Sequence, residues 1–73
     1  MTALGLYLAK RSINKAEVAR KTGLSTYRLS QLSINPKTHI RIDELYLIAL
    51  AIGVKPGEMF EELCQDLKLK SEL

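Results

Sequence analysis

Seventy-three residues with a single cysteine, Cys64, and a single histidine, His39, leave no room for an intrachain disulfide framework and too few ligands for a metal site. Apolar residues are 47% and charged residues 26% of the chain, with no run biased enough for an intrinsically disordered protein, which allows one core of modest size. The net charge of +3 is unevenly placed: residues 1–42 carry eight Lys/Arg against Glu17 alone (+7), and residues 43–73 carry three against seven acids (−4).

A basic half suits a polyanionic partner, because cations that meet phosphates release condensed counterions. A solvated face accounts for a charge cluster equally well. The longest mostly apolar run, Leu45 to Val54, is too short to span a bilayer, and no basic stretch precedes an apolar segment at the N-terminus. A cytoplasmic protein with no membrane association and no cofactor is therefore expected.

Five short helices are predicted, in one all-α domain over 1–73 with a core over about 3–67 and a frayed tail over 68–73. The first covers Ala3 to Lys10, with Leu4 and Leu8 one turn apart on the core side and Tyr7 beside them. Asn14 is the N-cap of the second, with Glu17 placed for a capping-box partner, and the helix runs to Thr22. Gly23 stops it, since glycine accepts the left-handed conformation that closes a helix. Leu24 supplies an apolar contact across the turn, and Ser25 caps a third helix from Thr26 to Ser33.

Asn35-Pro36 ends that helix, and a loop follows to Arg41. From Ile42 the chain reads IDELYLIALAIGV, apolar around most of its circumference, which predicts a helix enclosed by others at the centre of the core. Tyr46 is expected in that core and Gly53 at the end of the helix. After a turn at Lys55-Pro56-Gly57, a last helix from Glu58 to Leu67 places Met59, Phe60, Leu63 and Leu67 on one face. Cys64 is expected there as a buried small hydrophobe.

The second and third helices are separated by one tight turn. For them to cross steeply, the first needs a small residue at the crossing, the turn needs a glycine, and the second needs an aliphatic side chain pointing back. Ala19, Gly23 and Leu29 occupy those places, with Val18 and Leu32 beside them. This is the pattern of a helix-turn-helix unit.

With the spacing Ala19-x-x-x-Gly23-x-x-x-x-x-Leu29, the polar cap Asn14 and the later block LYLIALAIGVKPGEMF, the sequence resembles the lambda repressor/Cro-like helix-turn-helix domains, or xenobiotic-response-element family, over roughly Leu4 to Phe60. The resemblance implies a compact five-helix lambda-repressor-like fold and double-stranded DNA as partner, with the third helix entering the major groove N-terminus first. Thr26, Tyr27, Gln31 and Arg28 are then the base-reading residues. Gln31 is placed to pair with adenine, Arg28 with guanine or with phosphate alone, and the Thr26 methyl group with a thymine methyl.

Asn14, Lys15, Ser30, Lys37, His39 and Arg41 become the phosphate-contacting set, helped by free N–H groups at the start of the second helix. Two departures from the family stand out: its ion pair between the first and third helices is replaced by Leu8 and Ser33, and its following glycine by Asn35, expected to be left-handed.

The resemblance further implies a transcriptional regulator, a repressor on a palindromic operator, working as a homodimer whose candidate interface is Met59, Phe60, Leu63 and Leu67, with Leu69 beyond it. No nucleophile–base pair, carboxylate pair or phosphate loop points to an enzyme. Helix-turn-helix geometry also occurs in proteins that never touch DNA. The competing reading is a protein-interaction module, such as an antitoxin or accessory subunit, that uses the acidic C-terminal half to hold a protein partner.

Overall fold

In a computed structural model, which describes residues 1–71, five helices follow one another: α1 (Ala3–Lys10), α2 (Lys15–Thr22), α3 (Thr26–Ile34), α4 (Ile42–Ile52) and α5 (Pro56–Leu63). There is no strand among the described residues. The chain is all-α, and the core draws on every helix. Leu4, Tyr7 and Leu8 come from α1, Val18 from α2, Leu29 and Leu32 from α3, Ile48 and Ala49 from α4, and Met59 from α5. Each large aliphatic side chain buried in this way contributes roughly 1.5–3 kcal/mol.

Local signals set most helix ends. Asn14 Oδ1 accepts the Glu17 N–H at 3.2 Å, and Ser25 Oγ accepts the Arg28 N–H at 3.0 Å. The Glu17 carboxylate does not return to the cap as a capping box requires; it pairs with Arg20. Gly23 adopts φ +82° and its N–H reaches the Ala19 carbonyl at 2.9 Å, which ends α2. Leu29 is wholly buried behind that corner, with Ala19 and Leu24 packed against the same cluster.

α1 ends without a glycine. Ser12 takes φ +52°, its N–H bonds to the Ala9 carbonyl, and the Ile13 N–H bonds to the Leu8 carbonyl at 3.1 Å. These are the paired bonds of a Schellman motif, with Ile13 folded onto the core. Asn35, in contrast, is extended at φ −99°, ψ 107°, rather than left-handed. The following Pro36 crowds the helical region of the residue before it and drives Asn35 to the extended one.

The two ends of the α1–α3 contact meet backbone to backbone. Thr2 N–H donates to the Ser33 carbonyl at 2.9 Å, Thr2 Oγ1 donates to the Leu32 carbonyl at 2.6 Å, and the same hydroxyl accepts the Gly5 N–H at 3.0 Å. A Cβ on Gly5 would stand 2.1 Å from the Ser33 carbonyl oxygen. Ser33 is buried and its hydroxyl is satisfied by the Leu29 carbonyl at 2.8 Å. The two small residues set how closely α1 lies on α3.

Several expectations for the second half are corrected. α4 is not enclosed: Ile48 and Ala49 are buried, but Ile42, Tyr46 and Leu50, spaced one turn apart, are exposed, Ile42 at 89%. Tyr46 is therefore a surface residue. α5 begins at Pro56 instead of Glu58, because proline at the first helical position lacks only an N–H that would have no partner there. It ends at Leu63, short of Leu67, which is 76% exposed and so contributes little burial to support another turn.

Met59 is 0% exposed, so it belongs to the core and cannot serve an interface; Phe60, its neighbour, is half-exposed. Cys64 is only half-buried, on the wall of an apolar groove shared with Phe60 and Leu63. Lys68–Ser71 carry no helix and are exposed, and the rest of the tail expected to fray, residues 72–73, lies outside the described residues. Among the described residues no helix is long and apolar enough to cross a membrane.

Two substitutions test these contacts by chemical denaturation. Gly5→Ala gains helix propensity yet meets backbone, and should lose about 1–3 kcal/mol of stability. Ser12→Gly relieves a left-handed residue and should gain about 0.5–1 kcal/mol. A stabilised Gly5→Ala protein would show that the α1–α3 approach relaxes freely.

Candidate nucleic-acid interface

α3 divides cleanly into two sides. Leu29, Leu32 and Ser33 face the core, while Thr26 and Tyr27 are exposed, Tyr27 at 73%, and Ser30 and Gln31 are partly exposed. The i, i+4 pairs Thr26–Ser30 and Tyr27–Gln31 therefore form one outward ridge on a helix anchored from behind. The order polar-outside, aliphatic-inside in TYRLSQL produces this arrangement from sequence periodicity alone.

Arg28 belongs to a different set of contacts. Its Nε donates to Glu44 Oε2 and its Nη2 to Glu44 Oε1, each at 2.9 Å, and Nη2 also reaches the His39 carbonyl at 3.0 Å. Glu44 Oε1 in turn accepts the Arg41 N–H at 2.9 Å, at the start of α4. A two-toothed pairing of this kind fixes direction as well as distance. One guanidinium thus ties α3, the loop after it and α4 together.

Glu44 is 6% exposed, so its charge survives burial only because these donors surround it. Hydrogen bonding from Arg28, reinforced by the Arg41 N–H, holds the Glu44 carboxyl below its ordinary value against the opposing effect of burial. The same contact raises Arg28. The sequence reading missed this pair. Its one visible signal was a carboxylate, Glu44, standing with Asp43 in the first turn of a helix that is otherwise mostly apolar.

The other cations are less free than the charge count implies. Arg11 stacks its guanidinium 3.7 Å from the Tyr7 ring centroid and approaches Glu62 at 3.7 Å, with Lys10 also near Glu62 at 3.8 Å. Arg20 pairs with Glu17, and Arg41 lies 3.5 Å from Asp43 across well-exposed side chains. Within the described residues Lys15, Lys21 and Lys37 form no ion pair. The basic surface of residues 1–42 is narrowed to these lysines and the weakly held Arg41.

The remaining expected contacts fall as follows. Asn14 and Lys15 sit at the N-terminus of α2, where Asn14 is exposed and its Oδ1 is occupied by the cap. Lys37 and His39 are exposed in the α3–α4 loop, and the His39 carbonyl, not its ring, carries the bond to Arg28. Gln31 Oε1 accepts from Asn35 Nδ2 at 3.1 Å. No group of three or more His, Cys, Asp or Glu residues among the described residues is arranged to hold a metal ion.

The sequence model of the Cro/C1-type HTH DNA-binding domain matches residues 4–66 of the chain. No curated protein and no solved structure matches it. The matched span takes in all five helices, including the α3 ridge and the Arg28–Glu44 contact.

The lowered Glu44 value has a defined consequence for acid stability. Its folded pKa lies below the unfolded one, so the contribution is complete above the ordinary glutamate value of 4.5 and is lost as pH falls through the lower folded value. Glu44→Gln should therefore melt lower than the parent at neutral pH, with the gap closing in thermal melts taken progressively below that range. A gap that stays constant down to the acid limit would remove the ion pair from the account of stability.

Proposed function

The chain belongs to the Cro/C1-type helix-turn-helix DNA-binding domain family, a family of DNA-binding regulators, and we propose that it is a repressor that occupies a palindromic operator as a dimer. The observation that carries this reading is the exposed ridge Thr26–Tyr27–Ser30–Gln31 on a helix whose other side is buried. Such a support holds short side chains rigidly enough to be set against base edges.

In this reading Thr26 meets a thymine methyl, Gln31 hydrogen-bonds a base edge, and Tyr27 lies along the groove between them. Arg28 is assigned to positioning α3, since its Nε and Nη2 already serve Glu44 and His39. Lys15 and Lys37 contact phosphate from the two flanks, with Asn14, Ser30, His39 and Arg41 beside them and the open N–H groups of α2 adding to anion affinity.

One domain of this size touches few base pairs, and doubling by two-fold symmetry sets half-sites about 34 Å apart. We place the dimer contact on Phe60, Leu63 and Leu67, with Met59 removed from the set because it is buried. Ile42 extends the same apolar surface, since it lines a groove with Phe60, Ile40 and Leu45.

Selection from a random DNA library tests the assignment, and an enriched two-fold motif is the expected product. Gln31→Ala should cost about 1–3 kcal/mol at one base position and relax preference there. Lys15→Ala should weaken all sequences alike and lower the salt slope by about 0.9 per half-site. Affinity that follows salt alone, with no enriched motif, would sink the repressor reading. Phe60→Glu should abolish dimers in analytical ultracentrifugation while leaving the monomer folded.

A further inference from the structure

Resting on the reading of α3 as the groove-entering helix, we propose that Asn35 sets which end of the Gln31 amide faces DNA, so that Gln31 selects a base edge bearing acceptors. A free glutamine amide turns over readily and offers either its oxygen or its NH2 group. Here that freedom is removed in two steps. The Lys37 N–H donates to Asn35 Oδ1 at 3.0 Å, which identifies the oxygen end of the Asn35 amide. The other end, Nδ2, then faces Gln31 and donates to Gln31 Oε1 at 3.1 Å.

The geometry is held from the backbone as well. The Asn35 N–H bonds to the Gln31 carbonyl at 2.9 Å, so main chain and side chain of the two residues are joined in parallel. Pro36 keeps Asn35 extended, and the turn that brings the Lys37 N–H onto Asn35 Oδ1 is closed by the Thr38 N–H on the Asn35 carbonyl at 3.0 Å. Asn35 lies one turn beyond Gln31 and draws Oε1 toward the C-terminal end of α3. The Nε2 group is left as the outward end.

An outward NH2 group donates and cannot accept. In the major groove it matches guanine, whose N7 and O6 are adjacent acceptors, or thymine O4, and it opposes the exocyclic amino group of cytosine. Adenine, which matches glutamine when oxygen and nitrogen both face the base, loses the advantage because its N6 amino group requires the Gln31 oxygen, which Asn35 draws toward the C-terminal end of α3 and away from the base. Asn35 thereby decides specificity through Gln31, as a positioning residue.

The test is the base preference of Asn35→Asp, chosen because one carboxylate oxygen can keep the Lys37 N–H while the other accepts from Gln31 Nε2. That exchange turns the Gln31 amide over and presents its oxygen outward. In selection from a random duplex library, the position relaxed by Gln31→Ala should change from guanine or thymine in the parent to adenine or cytosine in Asn35→Asp, by about tenfold in relative affinity. Flanking positions should keep their preference.

Asn35→Ala, which retains the backbone bond to Gln31, should lower discrimination at that one position without favouring a new base. It also serves if the charged variant folds poorly, with helical circular dichroism as the check. An unchanged preference in both variants, or a loss spread evenly over all positions, overturns the role of Asn35 alone. A parent protein that binds DNA with no base preference overturns this proposal together with the repressor reading.

Discussion

A carboxylate with almost no access to water holds the α3 side of this molecule together. Glu44 cannot stay charged at 6% exposure unless donors fill its lone pairs, and the donors come from two segments, Arg28 on α3 and the Arg41 N–H at the start of α4, while Arg28 also donates to the His39 carbonyl of the loop. The demand for satisfaction is directional, so meeting it fixes how α3 lies relative to α4. Apolar burial of Leu29 and Leu32 sets how deep α3 sits, but oily contacts alone tolerate sliding and rotation. The ion pair supplies the orientation.

The opposite end of α3 is held by different chemistry. Thr2 binds the Leu32 and Ser33 carbonyls, Gly5 permits close approach, and Asn35 ties the last turn to the loop. A helix of only nine residues is marginal in isolation. Anchored at both ends and along its apolar side, it becomes a rigid mount for Thr26, Tyr27 and Gln31. That division of labour explains why an arginine on the helix is occupied internally while neutral polar residues face outward.

Charge follows the same logic. Part of the acidic charge of the second half is drawn into pairs, because Asp43, Glu44 and Glu62 fold back onto Arg41, Arg28, Lys10 and Arg11, while Glu58, Glu61 and Asp66 stay exposed. The division into a basic and an acidic half, plain in the linear count, is therefore reduced in three dimensions by these pairs. Positive charge persists at Lys15 and Lys37, on either side of the outward ridge of α3 in the chain. Beside the exposed acids Glu58, Glu61 and Asp66, the second half also carries the exposed apolar stripe Ile42–Tyr46–Leu50.

What the sequence determined by itself was the set of features whose partners lie within a turn or so along the chain. Asn14 and Ser25 as caps, Gly23 as the left-handed corner and the alternation of inward Leu29 and Leu32 with outward Thr26, Tyr27 and Gln31 follow from hydrogen-bond reach and helical period, and four helices begin where those signals place them. Only the tertiary structure decided the Arg28–Glu44 pair, the backbone contact of Gly5 with Ser33, the exposure of Ile42 and Tyr46, and the burial of Met59 beside an exposed Phe60. Each depends on which distant segment arrives on a given face. Periodicity shows that a face is apolar or charged, but a partner far along the chain decides whether that face is covered.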